Sequence, residues 1–189
     1  MSITTLRRSG RLAGLFGLAL VAVLASTNTA WAQDAAAGSP GLGIKGVGVR
    51  LGLNDPEGAS SALMYGVHVD AGEFVRNVHL LPSLEYWSVG VSGADVSDLA
   101  VKLAVNFDFP LQDQRMVPYL GGGLGLHRVK ADVPGIGSDS ETKFGLDVQG
   151  GARNQFTPNL SLFGELGYTF VSDANQLRLQ GGLTYHFIY

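Results

Sequence analysis

Between Asp98 and Phe109 the chain alternates without a break: Leu99, Val101, Leu103, Val105, Phe107 and Phe109 are apolar, while Asp98, Ala100, Lys102, Ala104, Asn106 and Asp108 are small or polar. A period of two sends the two sets to opposite faces of an extended strand, and no helix separates them. The pattern recurs in units of about ten residues, each closed by a cluster of Gly, Pro, Asn or Asp, and eight such units fit between Leu42 and Tyr189. The expectation is an all-β chain: an eight-stranded antiparallel up-and-down barrel that crosses a membrane.

The other seven strands are expected at about Leu42–Leu53, Ser61–Ala71, Asn77–Val89, Pro118–Val129, Lys143–Gln155, Leu160–Phe170 and Gln180–Tyr189. In the last, Leu179, Leu183, Tyr185, Phe187 and Tyr189 share one face. A barrel wall in lipid carries such aromatic rings where it meets the headgroups. Alternation alone fits a soluble periplasmic barrel as well, with the apolar face enclosing a ligand pocket. Three features favour apolar side chains outward. The polar face is rich in Gly, Ala, Ser and Thr, and only 15% of all residues are charged. Aromatics gather near strand ends, as at Tyr168 and Phe170. The connections at Pro110–Arg115 and Thr157–Asn159 are compact while Lys130–Thr142 is long and polar, which predicts short periplasmic turns and longer outer loops.

The first 32 residues read as a cleaved signal peptide: Arg7, Arg8 and Arg11, then the apolar run Leu12–Leu24, then Ala30-Trp31-Ala32 as the cleavage site. The apolar run falls short of the roughly 20 residues that span a bilayer. Ser9-Gly10-Arg11 after the arginine pair favours general secretion over twin-arginine export. Residues 33–41 are expected to be a flexible tail and 42–189 the barrel. Loss of three arginines and no acid takes the formal charge from −3 to −6, which disfavours nucleic-acid binding. The chain has no cysteine, and so no disulfide, thiolate metal site or lipidated N-terminus.

Near the C-terminus a polar residue, a Gly two positions on, and two aromatics flanking one residue stand at Gln180, Gly182, Tyr185 and Phe187, with Tyr189 last. With Pro118-Tyr119-Leu120-Gly121-Gly122-Gly123 and Phe156-Thr157-Pro158-Asn159-Leu160, this resembles the small eight-stranded outer-membrane proteins of the OmpA-like and OmpX-like β-barrel family. The resemblance covers nearly all of 41–189. It implies outer-membrane localisation in a Gram-negative bacterium, outer-membrane lipid and lipopolysaccharide as surroundings, and a C-terminal signal read by the barrel assembly machinery. A monomer without cofactor is expected.

With apolar residues facing lipid, the inward charges are Arg50, Lys102, Arg153 and Arg178 against Asp70, Glu85, Asp108, Asp147 and Glu165, with His68 on the same face. An eight-stranded barrel is only wide enough for side chains to fill. These groups are therefore expected to pair as an interior polar network, a plug that fixes register, or alternatively to line a narrow path for ions. A lipid A-modifying enzyme would place a His beside a Ser near the outer rim. His68 and His127 are the candidates, but they stand in His68-Val69-Asp70 and His127-Arg128-Val129. Catalysis is not expected. The four histidines lie on separate strands without metal-ligand spacing. The acids Asp55, Glu57, Asp95, Asp98, Asp132, Asp139 and Glu141 are assigned to outer loops, where Arg128, Lys130 and Lys143 could meet lipid phosphates.

Overall fold

The computed structural model describes residues 41–91, 93–111, 116–135, 137–172 and 175–187. The proposed signal peptide, residues 33–40 of the tail and Tyr189 lie outside the described residues. Eight strands run in chain order: β1 (Leu42–Pro56), β2 (Ala62–Val75), β3 (Val78–Val91), β4 (Ala94–Asp108), β5 (Met116–Val133), β6 (Gly137–Thr157), β7 (Leu160–Val171) and β8 (Gln176–His186). Each pairs antiparallel with the next, and β8 closes on β1 to form a barrel. Closure is what lets a sheet sit in lipid, because it leaves no free edge and gives the backbone polar groups of each strand partners in its neighbours, the ladder breaking only locally, as in β2–β3 between His68↔Ser83 and Glu73↔His79.

The strand faces follow the alternation. Along β4, Ala100, Lys102, Ala104, Asn106 and Asp108 are buried while Leu99, Leu103, Val105 and Phe107 are exposed. The large exposed side chains of all strands form an apolar coat, and the buried set is mostly polar or charged. A soluble barrel with an apolar interior is thereby overturned. Aromatic pairs mark the borders of the coat: Phe107 with Phe109 (centroids 4.9 Å) and Tyr185 with Phe187 (5.8 Å) near the rim where the chain enters and leaves, the terminal rim, and Tyr168 with Phe170 (4.8 Å) toward the distal rim.

The connections correct the sequence reading. Lys130–Thr142 is no loop: β5 and β6 stay paired from Met116↔Asn154 to Val133↔Gly137, leaving only 134–136 between them. The other distal connections, 57–61, 92–93 and 172–175, are also short, and the longest connection, 109–115, lies at the terminal rim. Asp95, Asp132, Asp139 and Glu141 are strand residues accordingly, and Asp98 faces the lumen. Pairing of β6 with β7 stops at Gly145↔Val171, whereas β3, β4, β5 and β6 continue together toward the distal rim. The period-two signal misleads there because the contrast reverses in β5, where Arg128, Lys130 and Asp132 alternate with Val129, Ala131 and Val133 on the inward face, and vanishes in β6, where residues 138–143 are polar on both faces. At the other end β8 stops at His186, short of the expected Tyr189, with the Phe187 amide donating to the Lys45 carbonyl at 2.8 Å.

Glycine marks where the seam leaves no room. A Cβ on Gly182 would press on the Val49 carbonyl across the β1–β8 seam and lie 2.6 Å from the Phe163 ring. Gly182→Val should therefore destabilise the barrel by about 1–3 kcal/mol through overpacking. Urea unfolding in lipid vesicles measures this, and an unchanged midpoint would show that the seam can widen.

Candidate functional site

The inward face of an eight-stranded wall is a narrow bore, and its contents fall into layers. At the centre Glu85 on β3 accepts from Arg50 on β1 (2.7 Å) and Arg178 on β8 (2.7 Å), with the Lys102 ammonium of β4 2.9 Å away. Asp147 on β6 takes Arg178 (2.5 Å), Lys102 (3.1 Å) and the Thr169 hydroxyl of β7 (2.6 Å). Five strands are thus tied across the bore by one cluster of three cations and two carboxylates, and the Thr169 hydroxyl joins β7 to it. Its members are almost fully buried: Arg178 is 1% exposed and Glu85 2%. Two charges out of water require that each keep partners, and here each carboxylate meets at least two cations.

Toward the terminal rim, Glu165 accepts from the Tyr119 hydroxyl at 2.9 Å and from the Gln180 amide, while Gln149 donates to Asn106 at 2.8 Å. His68 is hydrogen bonded to Thr184 (2.9 Å), and the inward Phe163 ring sits edge-on to it (5.3 Å), with the Arg50 guanidinium 5.6 Å over that ring. A cavity of about 20 Å³ remains among these groups, room for about one water molecule. At the rim itself Asp108 pairs with Arg153, and His79 lies 3.3 Å from Asp108, 3.5 Å from Glu73 and 3.6 Å from Asp70. His186 stands between Ser161 (2.8 Å) and Asp70 (3.7 Å). This sequence of Ser, His and Asp lacks the geometry of a nucleophile. The His–Asp separation exceeds a hydrogen bond, and Ser161 is 1% exposed.

At the distal end His127 Nδ1 is 2.7 Å from Asp98, which also accepts from Gln176 (3.1 Å). Beside this pair, with Trp87 opposite Asp98 in the β3–β4 ladder, Ala62, Met64 and Trp87 pack together inside the bore with Val89 and Val96 against them, an apolar lid on the β2–β4 side of a polar lumen.

The structure therefore brings Arg50, Glu85, Lys102, Asp147 and Arg178 into one cluster, places Asp70, Asp108 and Arg153 at the terminal rim, and gives Glu165 and His68 uncharged partners. Gln180 and Gly182 point inward, Tyr185 is exposed, and Tyr189 lies outside the described residues. His127, weighed as a rim catalyst, is instead fully buried against Asp98. Sequence reasoning left Asp98, His127, Tyr119, Asn106, Gln149, Thr169 and Thr184 out of the network. Their strand parity already puts them inside, but the sequence reading assigns Asp98 to an outer loop and counts His68 alone among the residues without a formal charge. No group of His, Cys, Asp and Glu among the described residues is arranged to hold a metal.

Comparison with known proteins agrees with this architecture. The barrel is similar to the crystal structures of Neisserial surface protein A (21% identity, 78% of this chain and 99% of that one, TM-score 0.66) and of the N-terminal β-barrel domain of Pseudomonas aeruginosa OprF (15%, 76% and 98%, 0.57). It is also similar to Ail, the attachment invasion locus protein of Yersinia pestis (16%, 75% and 95%, 0.51). No curated protein sequence matches the chain significantly. Identities this low speak to fold alone. The sequence itself matches the outer membrane protein β-barrel domain over residues 16–187. With a closed eight-stranded wall, an apolar coat and a charged lumen, the chain belongs to the outer membrane protein β-barrel domain family.

Proposed function

We propose that the protein is a monomeric outer-membrane barrel with a structural and surface-interacting role, exported by a cleaved signal peptide and carrying no catalytic activity. Its terminal rim faces the periplasm and its distal rim the outside. The observation that carries this reading is the central cluster. Arg50, Lys102 and Arg178 meet Glu85 and Asp147 across the bore, and the apolar lid of Met64 and Trp87 lies beyond them. A hydrated ion would have to separate these pairs and then pass an apolar constriction, each step costing several kcal/mol. The plug stiffens the wall instead, and the four strands β3–β6 carry the distal surface outward.

Planar-bilayer recording tests this: the purified barrel should give no stable openings at any voltage. Stable unitary steps that scale with salt would replace the plug with a narrow channel, the reading that the charged residues lining the lumen otherwise favour. A lipid A-modifying activity would appear as an altered lipid A profile in cells overproducing the protein, and an unchanged profile is expected.

A further inference from the structure

Above the apolar coat the outward face of β3–β6 changes character in three steps. The last fully apolar rung pairs Leu126 with Phe144, both more than half exposed. The next rung sets the exposed Arg128 between Leu99 and Thr142. One step on, Lys130 lies between Ser97 and Ser140, and beyond it Asp132 pairs with Asp95. Positions two apart on a strand point the same way and lie about 6.6 Å apart. Arg128 and Lys130 therefore form a cationic step next to the lipid-facing wall, bordered by hydroxyls and topped by carboxylates. The Lys130 ammonium already leans on Asp132 at 3.1 Å, on the side away from the coat. Arg128 has an apolar leucine as one lateral neighbour and a hydroxyl as the other.

Resting on the outer-membrane reading above, we propose that this step is a docking site for the phosphate of an outer-leaflet phosphorylated glycolipid, whose acyl chains lie on Leu126, Phe144 and Leu99. Charge and depth both point to that occupant. The site is reached sideways from the bilayer, a guanidinium matches phosphate in a bidentate fork, and the hydroxyls of Ser97, Thr142 and Ser140 add donors. The formal charge of the chain is negative, so the cations are placed locally against the overall sign. The carboxylates of Asp95 and Asp132, two rungs above Arg128 and one above Lys130, keep the phosphate at the level of the arginine.

The test uses the barrel reconstituted in phosphatidylcholine vesicles, alone or with diphosphoryl lipid A, and reads the midpoint of heat-induced loss of the compact gel form. Lipid A should raise the midpoint of the wild type. The R128A/K130A double variant should keep the wild-type midpoint in phosphatidylcholine alone and bind lipid A about tenfold more weakly, as expected for the loss of a charge-assisted contact. Fully dephosphorylated lipid A should stabilise neither protein. Equal stabilisation by the dephosphorylated lipid, or an unchanged response in the double variant, would overturn the proposal. Stabilisation by millimolar inorganic phosphate in phosphatidylcholine alone would overturn its assignment to a lipid. A chain that shows no compact, heat-sensitive form in phosphatidylcholine would instead refute the barrel, so the two failures are distinct.

Discussion

Arg178→Ala should be among the most damaging single substitutions in the lumen, lowering unfolding free energy by about 3–5 kcal/mol. Its guanidinium bridges Glu85 (2.7 Å) and Asp147 (2.5 Å) while only 1% of the residue is exposed. Truncation leaves two buried carboxylates with fewer cations and opens a cavity where the side chain lay. Arg178→Lys keeps the charge, but a single ammonium cannot fork between two carboxylates as two guanidinium nitrogens do, so an intermediate loss is expected. Urea titration in vesicles, read by gel mobility without boiling, measures both. A loss below about 1 kcal/mol for the alanine variant would mean that water replaces the guanidinium easily and that the cluster does not hold the wall together.

Leu103→Arg should cost about 2–4 kcal/mol, the range for an arginine facing lipid at the bilayer midplane. Leu103 stands midway along the outward row of β4, between Pro82 and Leu124 on the flanking strands, and is 45% exposed to what must be lipid. The contrast with its neighbour Lys102 is the point. The two are adjacent in sequence, yet one cation lies in a cluster of carboxylates and the other would lie in hydrocarbon. Thr142→Arg, outward but above the apolar coat, is the control and should change stability by about 0–1 kcal/mol. If Leu103→Arg were as mild as Thr142→Arg, the apolar face would not meet lipid.

How much of this was legible beforehand can be judged strand by strand. In β4 the inward and outward assignments stood in the sequence residue by residue, because a strand alternates by covalent geometry and the lipid demands apolar side chains at every second place. The same logic put Arg50, Glu85, Lys102, Asp147 and Arg178 on one face. It did not say who meets whom. Arg178 and Glu85 are 93 residues apart and on strands that are not neighbours. His127 shows the limit from the other side, for its parity was plain while its partner Asp98 was taken for a loop acid. The distal reach of β5 and β6 is hidden where the apolar contrast reverses in β5 and vanishes in β6, although their backbones stay paired to Val133↔Gly137.

By itself, then, the sequence determined the number of strands, their faces, the apolar coat and the polar contents of the lumen, all of which follow from a local period of two read against lipid. Only the tertiary structure decided the central cluster and the apolar lid at Met64 and Trp87, and it set Arg128 and Lys130, already read from the sequence as cations near lipid phosphates, on one outward strand face beside the coat. Those depend on the register of each strand against the next and on closure of β8 onto β1. Register is set jointly by all eight pairings around the ring, so no segment carries it alone.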